Sequence, residues 1–348
     1  MRRVRIGLVL ALLIAASCGG SAPTGPTPRS PAGWTTRLDT AFDLAGRQPQ
    51  ITSLVVTRDG AIVREQYWHG GGPDTPQDVR SVTKSVTSLL VGTALDRGCL
   101  RSLDQTVGEM LGPLGPPDSD KRAITVRHLL TMSSGLGSDE LENVNEYNLW
   151  ASAPNQLDYV WNLPILSPAG THFVYNSGVY HVLSAILTRA CGAPTADFAR
   201  DTVFGPLGFG ARSWETDNQG FANGAAGLML TPRDMVAIGN LVLGEGRAAA
   251  GQVVSAGWVR DATRSHVDTS AQPYATGYGL GWWTGQMGTW NFAFANGYGG
   301  QFIVVVPGVR LVVTATNRWQ GIGTAAAGSD WIAVMNIIMQ NVLPAFQT

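Results

Sequence analysis

Ser81 and Lys84 stand three residues apart in DVRSVTKSVTSLLVGTALDRG. On a helix, positions i and i+3 share a face, so the lysine amine can lie against the serine oxygen. An amine held there can take the hydroxyl proton, and the serine can then attack a carbonyl and form a covalent acyl intermediate without a histidine. The same spacing also fits a helix cap followed by a surface lysine. The residues that follow favour the chemical reading: Val86, Leu89, Leu90, Val91, Ala94 and Leu95 are apolar at helical spacing on more than one face. Such a helix is buried on most sides. A lysine in its first turns is then desolvated, which favours the neutral amine that a base must be.

A third candidate is Tyr175, which follows Pro168 and Gly170 in an aromatic-polar run ahead of a helix. A core tyrosine and a proton-sharing phenol both fit this position. The second role asks for a neighbouring cation that lowers the phenol pKa. No Cys/His cluster has metal-ligand spacing, and His69, His128, His172, His181 and His266 are scattered. The residues therefore imply chemistry without a metal or a cofactor.

These groups must be carried by a larger α/β (α+β) frame. After a helix near 35–45, ITSLVVTRDGAIVREQYW predicts two strands joined at Asp59-Gly60, a hairpin signal. TPRDMVAIGNLVLGEG predicts a helix opened by Thr231 with Pro232 behind it and stopped by Gly244 and Gly246. YGLGWWTG, TWNFAFANG, QFIVVVP and VRLVVTATN read as closely spaced strands, and a last amphipathic helix is expected over about 328–342. Together these predict a five-stranded antiparallel sheet flanked by helices, with a mainly helical lobe inserted. The expected boundaries are an α/β lobe over 33–78 and 225–348 and a helical lobe over 79–224.

The N-terminus reads as an export signal over 1–18: Arg2, Arg3 and Arg5, an apolar run from Ile6 to Ala16, then Ala15-Ala16-Ser17-Cys18. The apolar run is too short to span a bilayer. Cys18 resembles the lipidated cysteine of a bacterial lipobox, although Ala15 stands where a leucine is usual, so simple secretion is the alternative. GGSAPTGPTPRSP fits a flexible tether over 19–32. The expectation is an extracytoplasmic protein held at the membrane through its lipid alone. Removal of the leader takes the net charge from −1 to about −4 and leaves no basic stripe, which argues against nucleic acid as a partner. Cys99 and Cys191 each close a predicted helix; a disulfide between them and two free thiols are both compatible with the sequence.

Read in order, LVVTRDGAIVREQYW, SVTKSVTSLLVGTALDRGCLRSLDQTV, ITVRHLLTMSSGL, PAGTHFVYNSGVYHVLSAIL, LMLTPRDMVAIGNLVLGEG with YGLGWW, and NGYGGQFIVVVPGVRLVVTATN resemble a known series. It is that of the serine β-lactamase-related hydrolases: class C β-lactamases, D-Ala-D-Ala carboxypeptidases and family VIII esterases. The branch containing aminohexanoate-dimer hydrolases is the most similar. The resemblance implies a β-lactamase/penicillin-binding-protein-like fold, Ser81 as nucleophile, Lys84 as general base or proton shuttle, and Tyr175 as the site tyrosine. The usual Tyr-x-Asn is Tyr175-Asn176-Ser177 here, so Ser177, or Asn176 in its place, is implied at the substrate. Where lactamases carry Lys-Thr-Gly, this chain has Ala295-Asn296-Gly297-Tyr298. The resemblance thus implies an oxyanion hole from the N–H groups of Ser81 and Tyr298, with no carboxylate-binding lysine unless Arg310 or Arg318 supplies the charge.

The function these residues imply is a serine hydrolase that cleaves small esters or amides through an acyl-Ser81 intermediate. The alternatives are a D,D-peptidase or weak β-lactamase at the cell wall, or a catalytically silent binding lipoprotein. Eleven tryptophans and the Asn/Tyr/Trp-rich stretch from Asn143 to Trp161 predict an apolar, aromatic cleft.

Overall fold

The computed structural model of the chain describes residues 32–112, 115, 118–269 and 273–346. The leader and Cys18 lie outside the described residues. Seven strands form one antiparallel sheet: β1 (Ile51–Arg58), β2 (Ala61–Tyr67), β3 (Gly277–Tyr278), β4 (Trp283–Met287), β5 (Trp290–Gly297), β6 (Gln301–Val306) and β7 (Leu311–Asn317). Their order is β2-β1-β7-β6-β5-β4-β3. Asp59 and Gly60 turn the β1–β2 hairpin with φ of 52° and 81°, the mirror-type turn that matches strand twist.

The sheet has seven strands where a five-stranded one was expected: all six strand segments read from the sequence join it, and one of them divides. YGLGWWTG reads as one strand by composition but folds as two. Gly281, at φ 87°, reverses the chain so that Tyr278 pairs with Trp283. A side chain at Gly281 would also meet Ser88 at 2.7 Å, so the reversal doubles as a close approach to the buried helix behind it.

Alternation along the central strands sorts the helices to two faces. Ile303 and Val312 meet Gly239 in α4 (Pro232–Leu243). Phe302, one residue over, packs its ring 5.3 Å from Trp331 in α5 (Thr324–Ile337). Helix α1 (Ala32–Gly46) packs beside α5. Thr231 caps α4 in a reciprocal capping box with Asp234. Helix α5 begins four residues ahead of the sequence expectation.

The remaining long helices are α2 (Val82–Asp96) and α3 (Ser177–Cys191), which pack against each other. Every residue of α2 from Val82 to Ala94 is buried. Two of its small polar residues donate to loop carbonyls, Ser85 to Gly281 O at 2.6 Å and Thr87 to Gly224 O at 2.8 Å. The Asn143–Trp161 stretch folds as two short helices, Asn145–Ala151 and Gln156–Asn162. Trp150 and Trp161 go to the core rather than to a cleft. Among the described residues no helix is long and apolar enough to cross a membrane, and no group of His, Cys, Asp and Glu is arranged to hold a metal ion.

Candidate active site

Ser81 caps α2 with near-helical backbone angles, φ −69° and ψ −5°. The three residues before it are held from two sides. Gln77 and Asp78 pair with Leu230 and Met229, and Val79 N donates to Leu228 O. Arg80 adopts φ 49°, a left-handed conformation uncommon for a long side chain and a form of local strain that collects at functional sites. Asp78 accepts from Arg80 N at 2.8 Å and pairs with its guanidinium at 3.4 Å. The guanidinium also lies between the rings of Tyr147 and Trp319, at 4.9 and 4.4 Å from their centroids.

Lys84 Nζ lies 2.8 Å from Ser81 Oγ and 3.2 Å from Ala225 O. The side chain is 1 % exposed. Burial pushes its pKa down to about 7, against an opposing pull from the Glu140 carboxylate. Near neutrality a substantial share of the amine is therefore unprotonated. Tyr175 places its ring 4.9 Å from the same Nζ and is hydrogen-bonded to Ser81. The ring stacks on Trp283 at 5.7 Å, which fixes its plane. Burial, chiefly, and the neighbouring Tyr278 raise the Tyr175 phenol well above its ordinary value. The sequence reading asked for a cation to lower it; desolvation dominates here, and the group stays a neutral phenol.

Gly297 ends β5 directly above the start of α2. A Cβ there would meet Val79 O at 2.3 Å, so the close approach requires glycine. Tyr298 and Ser81 line the same cavity, and neither backbone N–H is spent on a protein acceptor among the described residues. A cavity of about 530 Å³ opens here. Ser81, Tyr175, Asn296, Gly297 and Tyr298 line it, with Trp283, Trp319 and Trp331 among its walls, and no histidine does.

Other sequence-derived candidates lie elsewhere. Ser177 is fully buried and faces Glu140, donating its Oγ to the carboxylate at 2.7 Å; Asn176 donates to Gly137 O at 3.3 Å. Neither lines the cavity. Ala295 is buried in the sheet, whereas Asn296 faces the cavity. Arg310 pairs with Asp59 and Arg318 donates to Pro49 O, so the cation at the cavity is Arg80. Cys99, beyond the end of α2, and Cys191, the last residue of α3, are free thiols in hydrogen-bond contact; no bridge joins them.

Two wall residues, Arg80 and Glu140, escaped the sequence reading. Arg80 adjoins the nucleophile, and its charge beside an apolar helix start was the available signal. Glu140 lies in a polar loop, SDELEN, with nothing local to set it apart.

An antiparallel sheet with helices on both faces, and Ser-x-x-Lys at the start of a buried helix, define the class of serine hydrolases built on the β-lactamase and penicillin-binding-protein fold. The chain belongs to the Beta-lactamase family, whose profile matches residues 50–335. It is similar to the 6-aminohexanoate-dimer hydrolase of Paenarthrobacter ureafaciens, with 27% identity over 74% of this chain and 71% of that protein. It is also similar to esterase EstB of Burkholderia gladioli, with 32% identity over 49% of each chain. A candidate 6-aminohexanoate-dimer hydrolase from Bacillus anthracis shares the fold at TM-score 0.71, with 18% identity over 88% of this chain and 82% of that one. These hydrolase relatives, with the Ser81–Lys84 pair of this chain, support a serine hydrolase.

Proposed function

We propose that the chain cleaves neutral esters or amides of small to medium acyl groups through an acyl-Ser81 intermediate. The observation that carries this reading is the Lys84 amine, buried and 2.8 Å from Ser81 Oγ at a cavity that also holds two uncommitted backbone N–H groups. Neutral Lys84 takes the Ser81 proton as Oγ attacks the substrate carbonyl carbon. The charge that develops on the carbonyl oxygen is met by Ser81 N–H and Tyr298 N–H. Tyr175, a neutral phenol against both groups, donates its proton to the departing oxygen or nitrogen and regains one from Lys84. The C–O or C–N bond breaks and acyl-Ser81 remains. Water then attacks the acyl carbon, gives its proton to the same relay, and the acid leaves as Oγ recovers its hydrogen.

The apolar walls and the Ala295-Asn296 pair in place of a lysine favour neutral substrates over carboxylate-bearing β-lactams, since a charge-assisted contact is typically worth about 1.5–3 kcal/mol. One relative is named a hydrolase and the other an esterase, in keeping with cleavage at an acyl carbon. A fluorophosphonate probe followed by peptide mass spectrometry tests the proposal. Labelling is expected at Ser81 in the natural chain and nowhere in Ser81→Ala. A folded chain that never labels at Ser81 is a binding module instead.

For the N-terminus we propose export and lipid attachment at Cys18. Cys18→Ala should then move the protein from the membrane to the soluble extracytoplasmic fraction; a natural chain already soluble with a free N-terminus rejects the anchor.

A further inference from the structure

Glu140 is 35 residues before Tyr175 in the chain and touches the tyrosine segment at three points. Its backbone N–H donates to Tyr175 O at 2.9 Å. Its carboxylate accepts from Ser177 N at 2.5 Å and from Ser177 Oγ at 2.7 Å. These bonds bracket the turn from both ends: one holds the carbonyl of the tyrosine, and the others tie down the first residue of α3, two positions on. The carboxylate also stands at the cavity wall, within electrostatic reach of Lys84.

We propose that Glu140 is a positioning residue that clamps the Tyr175–Ser177 turn against the nucleophile and sets the proton load of the Lys84 amine. The inference rests on the acyl-Ser81 reading and adds a second role to that site. Geometry explains why the side chain must be an acid. The turn presents two donors, a backbone N–H and a hydroxyl, and only a carboxylate accepts both without a donor of its own in the way. It also explains why Ser177 is not free to meet substrate: its single hydrogen is committed to Glu140.

The charge has a consequence for Lys84. Burial lowers the amine pKa, and the Glu140 carboxylate is the group that opposes it. Burial raises Glu140 itself, while Lys84 and the two Ser177 donors favour its ionised form. The other groups facing this pair are Arg80 beside Lys84, Asp139 on the Glu140 loop, and the phenols of Tyr147 and Tyr175, with Tyr278 behind Tyr175. Burial raises all three phenols, so none of them titrates near neutrality. Losing the Glu140 charge therefore makes protonated Lys84 less stable and moves the rising limb of activity to lower pH.

The test follows ester turnover and the rate of fluorophosphonate labelling across about pH 5 to 9 in the full chain and four variants. Glu140→Gln keeps the shape and removes the charge; its limb should fall by about one pH unit with KM little changed. Glu140→Ala should lose about tenfold or more in kcat at every pH, and Glu140→Asp should recover part of that loss. Ser177→Ala removes one donor, leaves Glu140 less ionised, and should move the limb in the same direction by less. If Glu140→Gln does not fold, Ser177→Ala decides the matter alone. A natural chain that labels at Ser81, together with folded variants whose limb and kcat are unmoved, overturns this inference and leaves the acyl-enzyme reading intact. A natural chain that does not label overturns both.

Discussion

Helix α3 carries two buried ionic contacts one turn apart, and they are built on opposite terms. At its first residue, Ser177 meets Glu140, whose carboxylate also feels the buried Lys84 amine. Four residues on, His181 Nε2 lies 2.8 Å from Asp217 Oδ2, with the two side chains 0% and 1% exposed. Asp217 is fully supplied with donors. Besides His181, it accepts from Gln219 N and Phe221 N, and these bonds hold its carboxyl below the usual carboxylate range despite burial. The Trp150 ring packs edge-on against the imidazole at 5.7 Å, and neither member of the pair lines the cavity at Ser81. At the other contact, burial raises the acid and lowers the amine, bringing Lys84 to about 7. Equal burial therefore does not mean equal purpose: a carboxylate supplied with three donors fixes a loop, and an amine whose pKa is brought near neutrality can do chemistry.

Replacing members of each pair tests that contrast most severely. Lys84→Met fills the same volume without charge. It should cost at least about 10²-fold in kcat while raising the melting temperature by a few degrees, because a desolvated amine is removed. The sign follows from linkage. Lys84 has a folded pKa of about 7 against an ordinary 10.5, so the unfolded chain binds more protons between those values. Stability should rise with pH across that window in the natural chain and rise less in Lys84→Met. Thermal melts at several pH values, beside ester assays, read both effects. A variant that is less stable at every pH would show that the amine is structural and would erase the distinction.

Tyr175→Phe should lose a similar factor, about 10²-fold, with little change in melting because the ring still stacks on Trp283. Asp217→Asn should do the converse. Disturbing this buried hydrogen-bonded carboxylate should cost about 1–3 kcal/mol of stability, read by denaturant melts. The position of the pH–rate limb should stay where it was; a limb that moves with Asp217 would mean the two clusters are coupled. The smallest effect is expected at the cavity wall. Asn296→Lys should improve turnover of carboxylate-bearing substrates over neutral ones, and the gain should shrink as salt is raised. Ala295→Lys should destabilise instead, since that position is buried in the sheet. Equal handling of β-lactams and simple esters by the natural chain would mean that Arg80, despite its bond to Asp78, already serves as the anion contact.

The parts of this molecule legible in its sequence are those whose physics is local. Ser81 and Lys84 sit on one turn of one helix, and the apolar run behind them shows its burial. Asp59-Gly60 and Thr231-Pro232 punctuate their elements by turn and cap chemistry. The neighbours of Tyr175 fit a core tyrosine as well as a proton-sharing phenol, and only the family resemblance points to the second. Glu140 was out of reach, because what distinguishes it is a loop folding back onto a turn 35 residues later. Ser177 misled for the same reason: its motif position suggested substrate, and its hydrogen went to a partner that no spacing rule connects to it. The split of YGLGWWTG at Gly281 depended on the approach of α2 and was equally invisible to alternation along the chain.

The bond from Lys84 Nζ to Ala225 O spans 141 residues of chain, and Gly297, further along still, completes the other side of the nucleophile. Ser81 and Lys84 are therefore made early in synthesis and armed late. A chain that ends before Ala225 lacks the acceptor for Lys84 Nζ, and one that ends before β5 lacks Gly297 and Tyr298. On the proposed mechanism, the reactive hydroxyl therefore comes into being only when these distant segments have been made.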